Sequence, residues 1–312
     1  MAKTVVEQTI TPELARRLDI AIQTLTGRSR SEARAMLEQD CVTLDGRICR
    51  KAGLQLEAGQ LLVITHDPHT RYREAPRERP TVGFQTVFED EHIIVVNKSP
   101  GILSVQTDTG GQRTLVDSVT EYLRRKHRGA CAVPVHRLDR ETSGLLVLGK
   151  STEIAQTLMD QFRERKAERE YAVIVAGDMP RRAGTFRSYM ATSKRLQRYS
   201  VSSGEQGELA ITHYEVLRRL QGATYLKAIL ETGRRNQIRV HLSEAGHPVL
   251  GDRRYRPDLA SHPDWKGKGL ALHAAILGFI HPVSRQPVRF ETPLPKEFEK
   301  FLRWRKKDTR RP

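Results

Sequence analysis

The chain has 312 residues, room for one large domain and a small one, and its 38% hydrophobic residues exclude a disordered polymer. Its 53 lysines and arginines stand against 37 acidic residues, a net charge of +16, which points to a polyanionic partner because each neutralised phosphate releases counterions. The cysteines Cys41, Cys49 and Cys131 form no CxxC pair and are odd in number, which argues against a disulfide framework or zinc site and fits a reducing compartment.

The N-terminus runs into polar sequence without an apolar signal core. No run approaches the roughly 18 apolar residues of a membrane helix, so a cytoplasmic protein without membrane contact is expected. Leu14, Leu18, Ile22 and Leu25 recur at helical spacing, as do Ala33, Met36 and Leu37. Ser31 is the expected N-cap of the second helix. Residues 41–44 read as a strand, Asp45-Gly46 as a hairpin turn and 60–64 as a closing strand. Residues 1–66 thus form a small module of two helices followed by short strands. Residues 67–80, rich in proline and charge, read as an exposed linker. His66 and His69 beside it lack the further ligands a metal site needs.

Residues 81–312 form the main domain. Strands are expected at 87–88 and 92–97 around a turn at Glu89-Asp90-Glu91, and again at 145–148, 171–175 and 225–230. Helices are expected near 115–125, 154–164 and 237–245. Without strict βαβ alternation, the reading is α+β, with a mixed, largely antiparallel sheet flanked by helices. The basic tail 303–311 is expected to be frayed.

Two segments stand out chemically. His136-Arg137-Leu138-Asp139-Arg140-Glu141-Thr142-Ser143-Gly144 abuts an apolar strand. Arg137 and Arg140 flank Asp139 and would keep its carboxylate ionised, ready to attack or to stabilise a developing cation. A loop in which Asp139 makes a local cap or salt bridge accounts for the spacing as well. In the second segment, residues 231–242, a strand ends near Leu230, Thr232-Gly233 turns, and a helix follows. Ile238, Leu242 and Ala245 would share its buried face, with Gly246 and Pro248 stopping it. Arg234, Arg235 and Arg239 around that turn can bind phosphate or pair with a carboxylate; a solvated cationic turn is the equal alternative. Asn97-Lys98-Ser99-Pro100-Gly101 reads first as a structural turn, and His273 as a packing histidine in an apolar run. No Walker motif, dinucleotide-binding glycine turn, HExxH or GxSxG occurs, which removes the common cofactor-dependent readings.

Together these segments resemble the RluA family of pseudouridine synthases over nearly the whole chain. The HRLD-x-x-TSG-L signature stands at 136–145, a tyrosine after a basic stretch at Tyr171, and a G-x-A-x-T-like strand at 207–212. The TGR-x-x-QIR-x-H segment spans 232–241, followed by Gly251-Asp252 and Tyr255. Residues 11–65 look like the RNA-binding module of ribosomal small-subunit protein S-four, in the pattern Arg17-Leu18-Asp19, Ser29-Arg30-Ser31 and Val42. Asn236 stands where the family usually has histidine, Arg235 where it has threonine and Ser99 where proline is common; these departures bear on substrate preference.

The resemblance implies an enzyme that detaches uracil from its ribose within structured RNA, rotates it and rejoins it through carbon 5, without cofactor or metal. Asp139 would be the catalytic carboxylate, as nucleophile or as base. Arg137 would fill the space left by the flipped nucleotide, since stacked bases are inaccessible. Tyr171 would stack on the uracil. Arg239 would pair with Asp139, and Leu272 would supply an apolar wall or simply pack the core. Arg28, Arg30, Arg34 and Arg47 of the module, with Arg234 and Arg235, would contact RNA. The expected substrate is large-subunit ribosomal RNA and the expected state a monomer. A transfer-RNA synthase, or a non-enzymatic RNA-binding or ribosome-assembly factor, are the competing readings. A glycosidase would need a second carboxylate, for which Glu141 is a thin candidate.

Overall fold

Outer strands that alternate between exposed and half-buried residues and central strands that are apolar on both faces build the sheets among the described residues. The computed structural model describes residues 4–72, 83–106 and 112–304, except Arg195, Glu205 and Lys268. These fall into two compact units, one within 1–80 and one within 81–312. No described helix is long and apolar enough to cross a membrane.

The first unit contains β1 (Thr4–Thr9), α1 (Leu18–Thr26), α2 (Arg30–Glu38), β2 (Val42–Leu44), β3 (Arg47–Ile48) and β4 (Leu61–His66). Its sheet runs β1-β4-β2-β3. The strand β1 was not expected from the sequence; it is a largely exposed edge strand paired with β4, so it carries little hydrophobic signature. The N-cap of α2 is Ser29 and not Ser31. Ser29 Oγ accepts the Glu32 N–H while the Glu32 carboxylate accepts the Ser29 N–H. This reciprocal box satisfies two otherwise orphaned donors and decides the helix start in favour of the serine with glutamate three residues on. Leu18, Ile22, Met36, Leu37, Leu62 and Ile64 form the core. Of the expected linker, residues 73–80 lie outside the described residues. Residues 67–72 pack back on the unit: Tyr72 is buried in its core and its hydroxyl accepts the Asp67 N–H at 2.8 Å.

The second unit contains β5 (Phe84–Glu89), β6 (Ile93–Lys98), α3 (Leu115–Lys126), β7 (Val133–Pro134), β8 (Ser143–Gly149), α4 (Thr152–Arg163) and β9 (Glu168–Ala176). The chain continues through β10 (Ala183–Thr192), β11 (Arg198–Val201), β12 (Glu208–Leu220), β13 (Ala223–Leu230), α5 (Gln237–Glu244), β14 (Leu272–Ile280), β15 (Pro287–Glu291) and α6 (Lys296–Trp304). Among the described residues the main path of the sheet is β11-β10-β12-β13-β9-β14-β8-β6-β5, with β15 beside β14 and β7 beside β8. All described pairings are antiparallel except β14 with β8. The architecture is α+β, as the sequence led one to expect.

On β6 and β8, Ile94, Val96, Leu146 and Leu148 pack with α3, while Ile93, Val95, Leu145 and Val147 pack with α4. Burial on both faces explains why these strands read as continuous apolar runs. The parallel contact of β14 and β8 is very close. Gly144 has φ +115, and a Cβ there would overlap the Ala274 backbone. This glycine is required by both conformation and space. On α5, Ile238 and Leu242 are buried as expected. Ala245 is exposed, because the helix ends at Glu244.

Candidate active site

The Asp139 loop, between β7 and β8, is clamped from beneath. Ser104 Oγ accepts the Leu138 N–H at 3.1 Å and donates to the Leu138 carbonyl at 2.8 Å, both on a buried residue. On the other side of Asp139, the Arg140 carbonyl accepts from Gly101 N–H at 2.8 Å and Lys98 Nζ at 3.0 Å. Lys98 is fully buried and also donates to the carbonyls of Ser99 and Ile102, at 3.0 and 2.9 Å. Three donors meeting three carbonyls is the pattern of an ammonium group. Burial pulls the Lys98 pKa down to about 7, against the pull of Asp139 and Glu141. The segment around Asn97–Gly101 is therefore more than a turn: it sets the height of Asp139.

The flanking arginines do not hold the Asp139 carboxylate. Arg140 donates to the Gly101 carbonyl and lies 3.6 Å from Glu141, and Arg137 makes no hydrogen bond or ion pair among the described residues. Neighbours in sequence diverge around the turn, and the partner comes from α5 instead. Arg239 Nη1 donates to Asp139 Oδ2 at 3.1 Å. The same guanidinium donates through Nε and Nη2 to Asp252, whose side chain is fully buried. Nη1 also reaches Asn236 Oδ1 at 3.1 Å, and the ring of Tyr255 lies 5.0 Å from the guanidinium carbon. Burial opposes the charge, but Asp252 and Asp139 outweigh it and raise the Arg239 pKa.

Arg137, Asp139, Tyr171, Arg239 and Leu272 line one cleft of about 380 Å³. Tyr171 comes from β9 and Leu272 from the neighbouring β14. Burial raises the Tyr171 phenol to about 12, with Arg169 opposing and Asp139 adding, so it is an uncharged aromatic face at neutral pH. His136, stacked on Phe162 at 4.5 Å, accepts the Val147 N–H through Nε2 and is held neutral by burial, its pKa lowered to about 3. The site thus brings together the Asp139 carboxylate, the Arg239 cation held beside it, an aromatic face and the exposed Arg137.

Comparisons with known proteins give the family of the chain. The model of the family described as RNA pseudouridylate synthase matches residues 92–244, and that of the S4 domain matches 16–62. A protein of Zymomonas mobilis named ribosomal large subunit pseudouridine synthase D is 33% identical over 293 residues, covering 91% of this chain and 92% of its own. The chain belongs to the RNA pseudouridylate synthase family. A relative in Aquifex aeolicus, named an uncharacterized RNA pseudouridine synthase, is 33% identical over 285 residues, covering 88% of this chain and 89% of its own. Human RNA pseudouridylate synthase domain containing 1 is 26% identical with a TM-score of 0.54, over 68% of this chain and 84% of that one. Human RNA pseudouridylate synthase domain containing 4 shares the fold, at 23% identity and a TM-score of 0.58, over 70% and 91%.

The pseudouridine synthase isomerises uridine in RNA to pseudouridine, and the residues that shape its site extend past those the sequence singled out. Asp252, Lys98, Asn236 and Ser104 all position the Asp139–Arg239 pair. Asp252 was named in the sequence only as part of the family segment after the TGR-x-x-QIR-x-H motif, with no role given to it. Asn236, with φ +59, tolerates the left-handed region better than most residues and bridges Arg239 to the Tyr255 hydroxyl. The arginines expected at RNA sort into different duties. Arg28 is engaged internally, by Glu32 and the carbonyls of Asp67, Pro68 and Thr70. Arg30 and Arg34 surround the buried Asp19 together with Arg17. Arg47 is exposed on β3. Arg234 lines the cleft and pairs with Glu208, whereas Arg235 lies outside it and donates to the Leu196 carbonyl.

Proposed function

We propose that this synthase modifies uridine in large-subunit ribosomal RNA, with Asp139 as the catalytic carboxylate. The observation that carries the assignment of roles is the 3.1 Å bond from Arg239 to Asp139 inside a cleft walled by Tyr171 and Leu272. The relatives named for the large ribosomal subunit support the choice of RNA. Breaking the base–sugar bond builds positive character on the ribose, which an adjacent carboxylate stabilises or captures. Arg239 keeps that carboxylate oriented. Tyr171 replaces the lost stacking of the extruded uracil, an interaction worth about 1–3 kcal/mol. Arg137, exposed and unengaged, enters the stack that the uridine vacates.

Residues 1–66 bind RNA, the segment 67–80 joins them to the catalytic residues 81–312, and the enzyme acts as a monomer in the cytoplasm. Arg30, Arg34 and Arg47 of the module, with Arg234 and Arg235, contact phosphates. The test is tritium release from large-subunit RNA labelled at uracil carbon 5. The wild type releases tritium and Asp139→Ala falls to background; equal release by the two removes Asp139 from its role. Mapping the pseudouridine in the treated RNA tests the substrate, and its formation in transfer RNA alone would overturn that choice.

A further inference from the structure

Arg169 lies two residues before Tyr171 on β9, and alternate strand residues share a face. Both line the cleft. Arg169 is 7% exposed, yet no carboxylate lies within ion-pair distance of it among the described residues. Arg239, in the same cleft, has two. The Arg169 guanidinium sits 5.4 Å from the centre of the Phe162 ring and uses only Nη2 to reach the carbonyls of Leu230 and Glu231, at 3.4 and 3.2 Å. Among the described residues its Nε is buried without a partner, and Nη1 makes no hydrogen bond, both bonds being made by Nη2. Space for Nη1 exists because residue 233 is glycine: a Cβ there would collide with it. Burial lowers the Arg169 pKa, and its charge in turn opposes the upward shift that burial gives the Tyr171 phenol.

A buried cation without a counter-charge is costly unless an anion or strong acceptor arrives to meet it. Two residues of strand span about 6.6 Å, so a pyrimidine stacked on Tyr171 brings its edge towards the Arg169 head group. We propose that Arg169 is a substrate contact whose unused N–H donors meet a carbonyl oxygen of the extruded uracil and hold the negative charge gathering there as the base departs. The electron pair of the N1–C1′ bond passes into the ring, shared by N1, O2 and O4. After rotation C5 bonds to C1′, C5 loses its proton and N1 gains one, so no co-reactant is needed. The competing role is purely mechanical, a tie from β9 to the end of β13. This inference rests on the reading that the cleft holds the flipped uridine.

The experiment uses full-length Arg169→Met and Arg169→Lys proteins with large-subunit RNA labelled at uracil carbon 5, under single-turnover conditions. The Met protein loses about 10²-fold in tritium-release rate at saturating RNA, the scale of one lost oxyanion donor. Its RNA affinity stays within about threefold, as for an interaction made in the transition state, and the Lys protein recovers part of the rate. A second RNA carries 5-fluorouridine, whose base departs more readily as an anion; there the variant's deficit in consuming the target nucleoside shrinks by about fivefold or more. Should the Met protein fail to fold, the Lys protein carries the same comparison. An unchanged rate overturns the proposal, and so does a deficit equal on both RNAs, which marks a mechanical tie. Absence of tritium release by the wild type overturns the parent reading instead.

Discussion

Arg239 directs two donors at Asp252, at 2.7 and 2.9 Å, and only one at Asp139, at 3.1 Å. The fork-shaped contact with the fully buried Asp252 fixes the plane of the guanidinium from behind. Asp139, 21% exposed, therefore meets a cation whose position it does not itself determine. The carboxylate proposed to react, Asp139, and the carboxylate that fixes the arginine, Asp252, are thus separate residues.

That separation gives the first prediction. Asp252→Asn keeps the shape but removes the charge, so Arg239 turns toward Asp139 or loses its angle. Single-turnover tritium release is expected to fall by about 10–10²-fold while the affinity for RNA changes little, since the lost interaction acts on the reacting carboxylate. Asp252→Ala adds a stability loss of about 3–5 kcal/mol, because it strands a mostly buried guanidinium. Thermal melts separate the two effects. A fully active Asp252→Asn enzyme would show that Asp139 alone positions Arg239.

Lys98 supplies a pH test. Its pKa in the fold is pulled down to about 7 from 10.5 by burial. Between those values the unfolded chain binds a proton that the folded chain has shed, so the Lys98 contribution makes stability rise with pH from about 7 to about 10.5 and level off outside that window. Lys98→Met removes this slope. Melting temperatures of the two proteins from pH 6.5 to 10 are expected to differ in slope as well as level. Parallel curves would mean that the three carbonyl contacts keep Lys98 charged throughout. The variant also loses the support beneath Arg140 and with it most of the tritium-release rate.

The sequence showed the strands that are buried on both faces, because β6, β8 and β9 are dense in valine, isoleucine and leucine. It showed little of β10, β11 and β15, whose half-exposed alternation carries arginine, serine and threonine in place of aliphatics. Asp139, Tyr171 and Arg239, which line one cleft, were singled out through the family resemblance because each lies in a contiguous motif. What the chain order hid were partners distant along it. Lys98 meets Arg140 across 42 residues and Asp252 meets Arg239 across 13. The Ser29 cap was misplaced by two residues although its glutamate was in view. Arg28 was read as an RNA contact, and its bonds to the carbonyls of 67, 68 and 70 become apparent only once the chain after β4 has folded back.

The first unit offers a contrast among its arginines. Asp19, buried and surrounded by Arg17, Arg30 and Arg34, leaves that cluster with a net positive charge and two half-exposed guanidinium groups. Arg30→Ala is expected to reduce the salt dependence of RNA binding by about one phosphate contact, with little change in melting temperature. Arg28→Ala is expected to do the reverse, lowering the melting temperature and leaving the salt slope intact. Binding titrations between 50 and 200 mM salt, on the order used to read such slopes, decide between them. A reduced slope for Arg28→Ala would return that residue to the RNA surface.

Acid sensitivity is the last expectation. His136, His241 and His273 are all neutral in the fold, with burial lowering their pKa values to about 3, about 4 and about 4. His273 shares a 2.8 Å hydrogen bond through Nδ1 with Ser143 Oγ at the close β8–β14 contact. Among the described residues no carboxylate lies within ion-pair distance of His136, His241 or His273 to meet such a charge. Above pH 6.5 both states hold the histidines neutral and their contribution is complete. As the pH falls from 6.5 towards 4 the unfolded chain takes up protons that the fold refuses, and each histidine withdraws up to about 1.4 kcal/mol per pH unit. The melting temperature should therefore drop steeply across that window. His273→Asn, which keeps a polar partner for Ser143 and cannot titrate, should melt lower at pH 7.5 but lose less between pH 6.5 and 4.5. If its curve runs parallel to that of the wild type, protonation of His273 is not part of the acid response.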